Sequence, residues 1–210
     1  MILCFEGPSG IGKTSLCGLF GEDYAVVPEV NVLFEGQRRE GKYWYHDRQA
    51  DRFQIASHAR RAILDGDPFQ ALWYNWTYGF STENLSLEDL LVYYRRAIRQ
   101  GQLRFPDRYF IFHTSREKLW ERKENDSSRQ RRNFEKHLAL VQTFPAYFGH
   151  LASIAADRVT FVEYDEMAEA FSLVQEEMEQ MQRIKQAECI EILEQMGDWL
   201  SISERSHFPA

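Results

Sequence analysis

Cysteine is scarce: Cys4, Cys17 and Cys189 are the three in 210 residues. Odd in number, far apart and without metal-ligand spacing, they exclude a disulfide framework and a cysteine-built zinc site. They read as small apolar side chains in a reducing compartment. Long hydrophobic runs are missing as well. No stretch approaches the roughly 20 apolar residues that cross a bilayer, and the first apolar run starts at Ile2, which leaves no room for a signal peptide. No membrane association and a cytoplasmic location are therefore expected. Positive charge is in deficit, with 25 Lys and Arg against 32 Asp and Glu and a net charge of −7. A nucleic-acid binder needs a net basic face, so no nucleic-acid partner is expected, and any phosphate bound is small and held locally. The histidines at 46, 58, 113, 137, 150 and 207 form no ligand pattern. No internal repeat is visible.

What is present begins at once. Gly7-Pro8-Ser9-Gly10-Ile11-Gly12-Lys13-Thr14 fits the phosphate-loop pattern G-x-x-x-x-G-K-[ST] without a gap and follows the apolar run Ile2-Leu3-Cys4-Phe5. The physics asks for a strand, a loop of little bulk whose amides point inward, and a helix whose N-terminus faces the phosphates. All three occur in order. The expected nucleotide-binding set is Gly7, Ser9, Gly10, Ile11, Gly12, Lys13, Thr14 and Ser15, with Lys13 on the β- and γ-phosphates and the Thr14 hydroxyl on Mg²⁺.

The remaining pattern alternates strand and helix. Lys13 to Phe20 reads as a helix with Leu16, Leu19 and Phe20 inward, and Ala25-Val26-Val27 as a short strand closed by Pro28, which sets Glu29 just past its end. In open α/β sheets ligands bind at that edge. Residues 32–41 are charged and glycine-punctuated. Tyr45 to Arg61 is expected to be helical, and Ala62-Ile63-Leu64 a strand running into the turn Asp65-Gly66-Asp67-Pro68. The aromatic segment Phe69, Trp73, Tyr74, Trp76, Tyr78 and Phe80 offers either a stacking face for a planar ring, with Trp73 as candidate, or core filling. Ser86-x-x-Asp89 resembles a capping box opening a helix to Arg99. Tyr109-Phe110-Ile111-Phe112 is a strand, Ser115 to Lys123 a helix with Leu119 and Trp120 inward, Phe134 to Ala152 a helix, and Arg158 to Val162 a final strand. Such alternation indicates a parallel sheet with right-handed crossovers.

The fold class expected is thus α/β, a three-layer sandwich around a parallel five-stranded sheet, in one core over residues 1–165 with a lid at about 123–133. Residues 166–210 form a helical extension. Its apolar positions, Met178, Met181, Ile184, Ile192, Leu193, Met196 and Leu200, drift round the helix and are not a coiled-coil seam. They fit a helix packed on the core with a bend near Gly197, or a surface for a homodimer.

These residues together resemble the P-loop kinases of the deoxynucleoside kinase and thymidylate kinase group, over most of the first 165 positions. The resemblance implies that Glu29, in Pro28-Glu29, takes the proton from the hydroxyl being phosphorylated. It implies that Gln54, in Arg52-Phe53-Gln54, reads a base, with Arg61 supporting the active site. It places Asp65 beside Mg²⁺, a role for which Asp67 competes, and makes Thr114 through Arg122 to Arg132 the strand, helix and arginine-rich lid over ATP. Arg122, Arg129, Arg131 and Arg132 are then the charge clamps that phosphoryl transfer needs. Tyr43 and Trp44, ahead of the substrate helix, are placed to meet a sugar hydroxyl. Two departures stand out. Gly66 follows Asp65 where the group carries Arg, and Asp107-Arg108-Tyr109 resembles the thymidylate kinase Asp-Arg-Tyr but precedes the strand that leads to the lid.

The function expected is an ATP- and Mg²⁺-dependent phosphotransferase acting on a hydroxyl of a small, nucleoside-like acceptor. An enzyme modifying an antibiotic or other metabolite, a nucleoside monophosphate kinase and a nucleotide-driven ATPase switch remain open beside it.

Overall fold

A computed structural model of the chain describes residues 1–80, 85–125, 134–178 and 186–203. β1 (Ile2–Glu6) leads into α1 (Lys13–Leu19), β2 (Ala25–Val27) into the single-turn α2 (Val30–Leu33) and α3 (Trp44–Ser57), and β3 (Ala62–Asp65) into α4 (Gln70–Thr77) and α5 (Leu87–Arg99). β4 (Arg108–His113) leads into α6 (Arg116–Asn125) and α7 (Phe134–Ile154). A 3-10 turn at Ala156–Arg158 precedes β5 (Val159–Glu163), and α8 (Met167–Met178) and α9 (Gln186–Ile202) follow.

The strands form one five-stranded sheet in the order β2-β3-β1-β4-β5, every pair parallel. Period-two alternation sorts its side chains between two helical layers. Ile2, Cys4, Leu64, Tyr109 and Ile111 join the larger core with side chains of α3, α4, α5, α7 and α9. Leu3, Phe5, Ile63, Phe110 and Phe112 face the other way, into the core shared with α1 and α8. Both faces are covered, which is why these strands read as unbroken apolar runs. The expected three-layer α/β sandwich is what the chain forms.

Several local readings shift. Leu19 is 53% exposed, so the inner side of α1 is Leu16 and Cys17, followed by Phe20. α3 stops at Ser57, leaving Arg61 in the link to β3. The aromatic segment contains a helix, α4, whose Ala71, Leu72, Trp73, Asn75 and Trp76 are all buried. The Ser86 cap stands: its hydroxyl accepts from Asp89 N–H at 3.1 Å while the Asp89 carboxylate accepts from Ser86 N–H, worth about 1 kcal/mol.

α9 runs through Gly197 as one uninterrupted helix. A side chain there would meet Leu91 Cδ1 at 2.8 Å, so this glycine lets α9 lie close against α5. Cys189, Leu193, Met196 and Leu200 are buried in the chain's own core, and Arg95 grips Glu194 through two bonds of 2.6 and 2.8 Å. The apolar positions Cys189, Leu193, Met196 and Leu200 of α9 are therefore covered by the chain itself. Met181 and Ile184 lie outside the described residues. Among the described residues no helix is long and apolar enough to cross a membrane.

Candidate functional site

In a parallel sheet every strand ends on the same edge, and here that edge collects the chemistry. Glu6 closes β1, the phosphate loop follows, Asp65 closes β3, and Glu29 comes two residues after β2. Gly7 opens the loop with φ 155°, where a Cβ would sit 2.5 Å from the carbonyl oxygen of Phe112 on β4. Only glycine lets the loop leave the sheet so close to its neighbour. Tyr164, just past β5, donates its hydroxyl to Ile11 O, and Ile11 is itself buried in the core, so Ile11 anchors the loop.

Lys13 donates to Gly7 O at 2.7 Å. Burial alone would pull its ammonium down, but the Glu6, Glu29 and Asp65 carboxylates outweigh it and leave the pKa raised. The Thr14 hydroxyl donates to Asp65 Oδ2 at 2.7 Å. Asp65 Oδ1 is buried and accepts no hydrogen bond. A carboxylate oxygen left without a donor beside a threonine hydroxyl fits a hard divalent cation. Mg²⁺ takes one or two protein oxygens of this kind and fills its shell with phosphates and water. Among the described residues no cluster of three or more His, Cys, Asp or Glu could hold a metal.

Glu6 was not singled out by sequence. Its two oxygens accept from Gly7 N–H at 2.8 Å and Asp67 N–H at 2.7 Å, tying the phosphate loop to the turn after β3. Burial pushes its carboxyl up to about 7, against the pull of Lys13 and the two amide donors. Asp67 does not take the metal-facing role expected for it. Its carboxylate accepts from Phe69 N–H at 3.0 Å, the Tyr109 hydroxyl at 3.0 Å and the Trp73 indole at 3.1 Å, deep in the helical layer. Burial pushes it up to about 6.

Glu29 is exposed and caps α2 without a side-chain bond to it. A Cβ on Gly66 would stand 3.5 Å from Glu29 Cγ and 3.8 Å from Glu6 Oε2. With glycine at 66, the space beside the Glu29 carboxylate stays open.

The expected acceptor set divides. Gln54 donates to Gly101 O at 3.0 Å and Gln102 O at 2.8 Å, and Arg61 lies over the Tyr24 ring at 5.7 Å. Both sit where strands begin, the wrong edge for this site. The cause is direction: α3 runs antiparallel to the strands, so its late residues point away from their ends. Trp73 is 2% exposed and its ring packs on Phe144 at 4.7 Å, so it fills the core and offers no stacking face. Tyr43 stacks on Tyr93 at 5.1 Å at the start of α3, and Trp44 is the first residue of that helix. Ser15 is exposed on α1.

Of the clamp residues, Arg122 lies on α6 with its side chain outside the described residues, as are Arg129, Arg131 and Arg132 altogether. In place of Gln54, the site-facing turns of α3 present Tyr45, Gln49 and Arg52. Gln49 Nε2 donates to the Tyr45 hydroxyl at 3.2 Å, and that hydroxyl donates to Gln70 on α4. Their spacing of four and three was the available signal, a polar stripe on one helix face.

No family model and no curated protein matches the chain. Solved structures do. Deoxyadenosine kinase from M. mycoides with bound dATP aligns over 85% of this chain and 100% of its own, with a TM-score of 0.60 at 13% identity. The same enzyme with products dCMP and a flexible dCDP bound gives 0.54 at 16% identity, covering 85% and 99%. Thymidylate kinase from Ehrlichia chaffeensis gives 0.53 at 14%, covering 85% and 98%. The fold is therefore the deoxynucleoside kinase and thymidylate kinase-like P-loop fold.

Proposed function

We propose that the chain is an ATP-dependent phosphotransferase that moves the γ-phosphate to a hydroxyl of a nucleoside-like small molecule. The observation that carries this reading is the Lys13 ammonium in the field of three carboxylates, Glu6, Glu29 and Asp65, at the edge where β1, β2 and β3 end. The loop amides and Lys13 take the donor phosphates, with Lys13 exchanging Gly7 O for β- and γ-phosphate oxygens. Thr14 and Asp65 are the residues that would hold Mg²⁺, which would supply positive charge against the donor phosphates. Glu29, exposed and beside the space at Gly66, is the general base.

In the transfer Glu29 takes the acceptor's hydroxyl proton and the freed oxygen bonds to the γ-phosphorus. The bond from that phosphorus to the bridging oxygen breaks, and ADP leaves. Arg122, Arg129, Arg131 and Arg132 are the proposed clamps on the equatorial oxygens. Tyr45, Gln49 and Gln70, linked to one another on α3 and α4, are the proposed polar contacts of the acceptor. A hydroxyl acceptor is favoured because it needs a base, whereas an acceptor that is already a phosphate is ionised and needs cations instead.

The test is a screen of nucleosides, nucleoside monophosphates and hydroxylated antibiotics for acceptor-dependent ADP release. A nucleoside should be the substrate. Steady ADP release with no acceptor would favour an ATPase switch. With the substrate in hand, Glu29→Gln should keep ADP affinity and lose about 10² to 10⁴ of turnover. Undiminished turnover would remove Glu29 as base.

A further inference from the structure

Arg52 is among the largest side chains fully buried in the chain, 1% exposed, and among the described residues no carboxylate lies within ion-pair distance of it. Its donors go to neutral oxygens. Nε donates to Pro28 O at 2.6 Å and Nη2 to Asp65 O at 2.7 Å, with longer approaches to Gly66 O at 3.4 Å and Val27 O at 3.5 Å. Nη1 donates to Gln49 Oε1. A buried cation whose hydrogen bonds all go to carbonyl oxygens is costly to keep, so its placement needs a reason.

The backbone supplies one. The β2–β3 ladder ends at the pair Val27↔Leu64; alternate residues of β2 face β3, so the next bond would come from Glu29 N–H, but the chain has already turned there to cap α2. Glu29 and Asp65 both lie beyond that last pair. Asp65 is still held on its other side by its pairing with Phe5 on β1, but Glu29 has left the sheet, so the sheet does not fix their separation. The Arg52 fork stands where the ladder stops and gives donors to carbonyls of both strands.

We propose that Arg52 is a positioning residue that clamps the open end of the β2–β3 ladder and so sets the Glu29 carboxylate against the Asp65 carboxylate. The inference rests on the reading of Glu29 as base and Asp65 as metal-facing. Lysine cannot take the place of the fork, since a single ammonium on a flexible stem does not bridge two strands with fixed geometry.

Arg52→Lys tests it through two readouts. The first is ADP affinity with EDTA and with Mg²⁺. Metal-free affinity should stay within about twofold of wild type, since the loop amides and Lys13 do not touch Arg52, while the Mg²⁺-dependent gain should fall about tenfold as Asp65 loses its position. The second is turnover: kcat for the acceptor should drop by about 10², with its KM within about threefold, as for a small displacement of catalytic groups. Wild-type kcat and a wild-type Mg²⁺ gain in folded Arg52→Lys would overturn the clamp. Should that variant not fold, Gln49→Leu removes the acceptor of Nη1 along with the bond to the Tyr45 hydroxyl. A Mg²⁺ gain in ADP affinity lowered several-fold, a readout that loss of an acceptor contact does not move, supports the clamp, and an unchanged gain counts against it. If the wild type turns over no acceptor, the functional reading fails, yet the Mg²⁺ gain in ADP affinity still reports on Arg52.

Discussion

The edge where the strands end and the edge where they begin are built from the same residue types and put them to opposite use. At the starting edge charge is matched. Asp107 accepts from Ile2 N–H at 2.7 Å and from Arg104 at 2.7 and 3.1 Å, and Arg108 reaches Thr160, Asp157 O and Glu177. At the finishing edge, among the described residues, the carboxylates that act on Lys13 outnumber it three to one. Glu6, Glu29 and Asp65 surround one lysine, and the buried cation beneath them, Arg52, is occupied by carbonyls. Matched charge closes a structure, because nothing is left to attract a ligand. Two buried carboxylates and an exposed one around a single lysine favour a cation or a proton to share their charge.

The largest effect is therefore expected at the finishing edge. Lys13→Ala should cut acceptor-dependent ADP release by at least about 10² to 10³, the scale of losing one preorganised charge-stabilising group. The same substitution should weaken ADP binding, read by titration. An active Lys13→Ala would mean that the loop does not hold the donor.

A smaller effect concerns the proton. Glu6 has its folded pKa raised from 4.5 to about 7, so between those values the folded chain holds a proton that the unfolded chain has released. Stability from this group is therefore full below pH 4.5 and is lost as pH rises toward 7. At about 1.4 kcal/mol per unit, the loss across that window is about 3 kcal/mol. Asp67, raised from 3.8 to about 6, acts in the same direction. His46 opposes both: buried, with neither ring nitrogen bonded, it is lowered from 6.5 to about 4, so its contribution grows with pH over that interval. The wild-type profile mixes the three, and a difference isolates one. Urea unfolding of Glu6→Gln and wild type from pH 4.5 to 8 should show the variant gaining about 3 kcal/mol relative to wild type by pH 7. A difference that is flat with pH would mean that Glu6 is ionised throughout.

The finishing edge was also the more legible of the two. Its loop has a fixed pattern, Pro28-Glu29 and Asp65 close short apolar runs, and a parallel sheet sends all such ends to one side. Side-chain direction along α3 was not legible. From Tyr45 to Gln54 a helix advances about 13 Å, enough to carry the later residue from one edge of the sheet to the other. Neither the length of the link to β3 nor the end of α3 at Ser57 is written in its composition. Gln49 and Arg52 look like surface residues in sequence, because a polar side chain bonded to buried carbonyls and one bonded to water share the same letters. α4 escaped for the opposite reason: with five of its eight residues buried and none exposed, it has no solvent-facing polar face to give a period.

Gln54 gives the mildest and most discriminating test of the contrast between edges. Its amide serves the carbonyls of Gly101 and Gln102, in the connection ahead of β4, from a partly exposed position. Gln54→Ala should cost about 1 kcal/mol of stability for those two bonds and leave acceptor kcat and KM within about twofold, the range for a side chain that touches no substrate. Gln49→Ala, on the site-facing part of the same helix, should raise acceptor KM instead. An acceptor KM that climbs tenfold in Gln54→Ala, with Gln49→Ala silent, would return base reading to the later residue, and α3 would have to present its C-terminal turns to the site when substrate is bound.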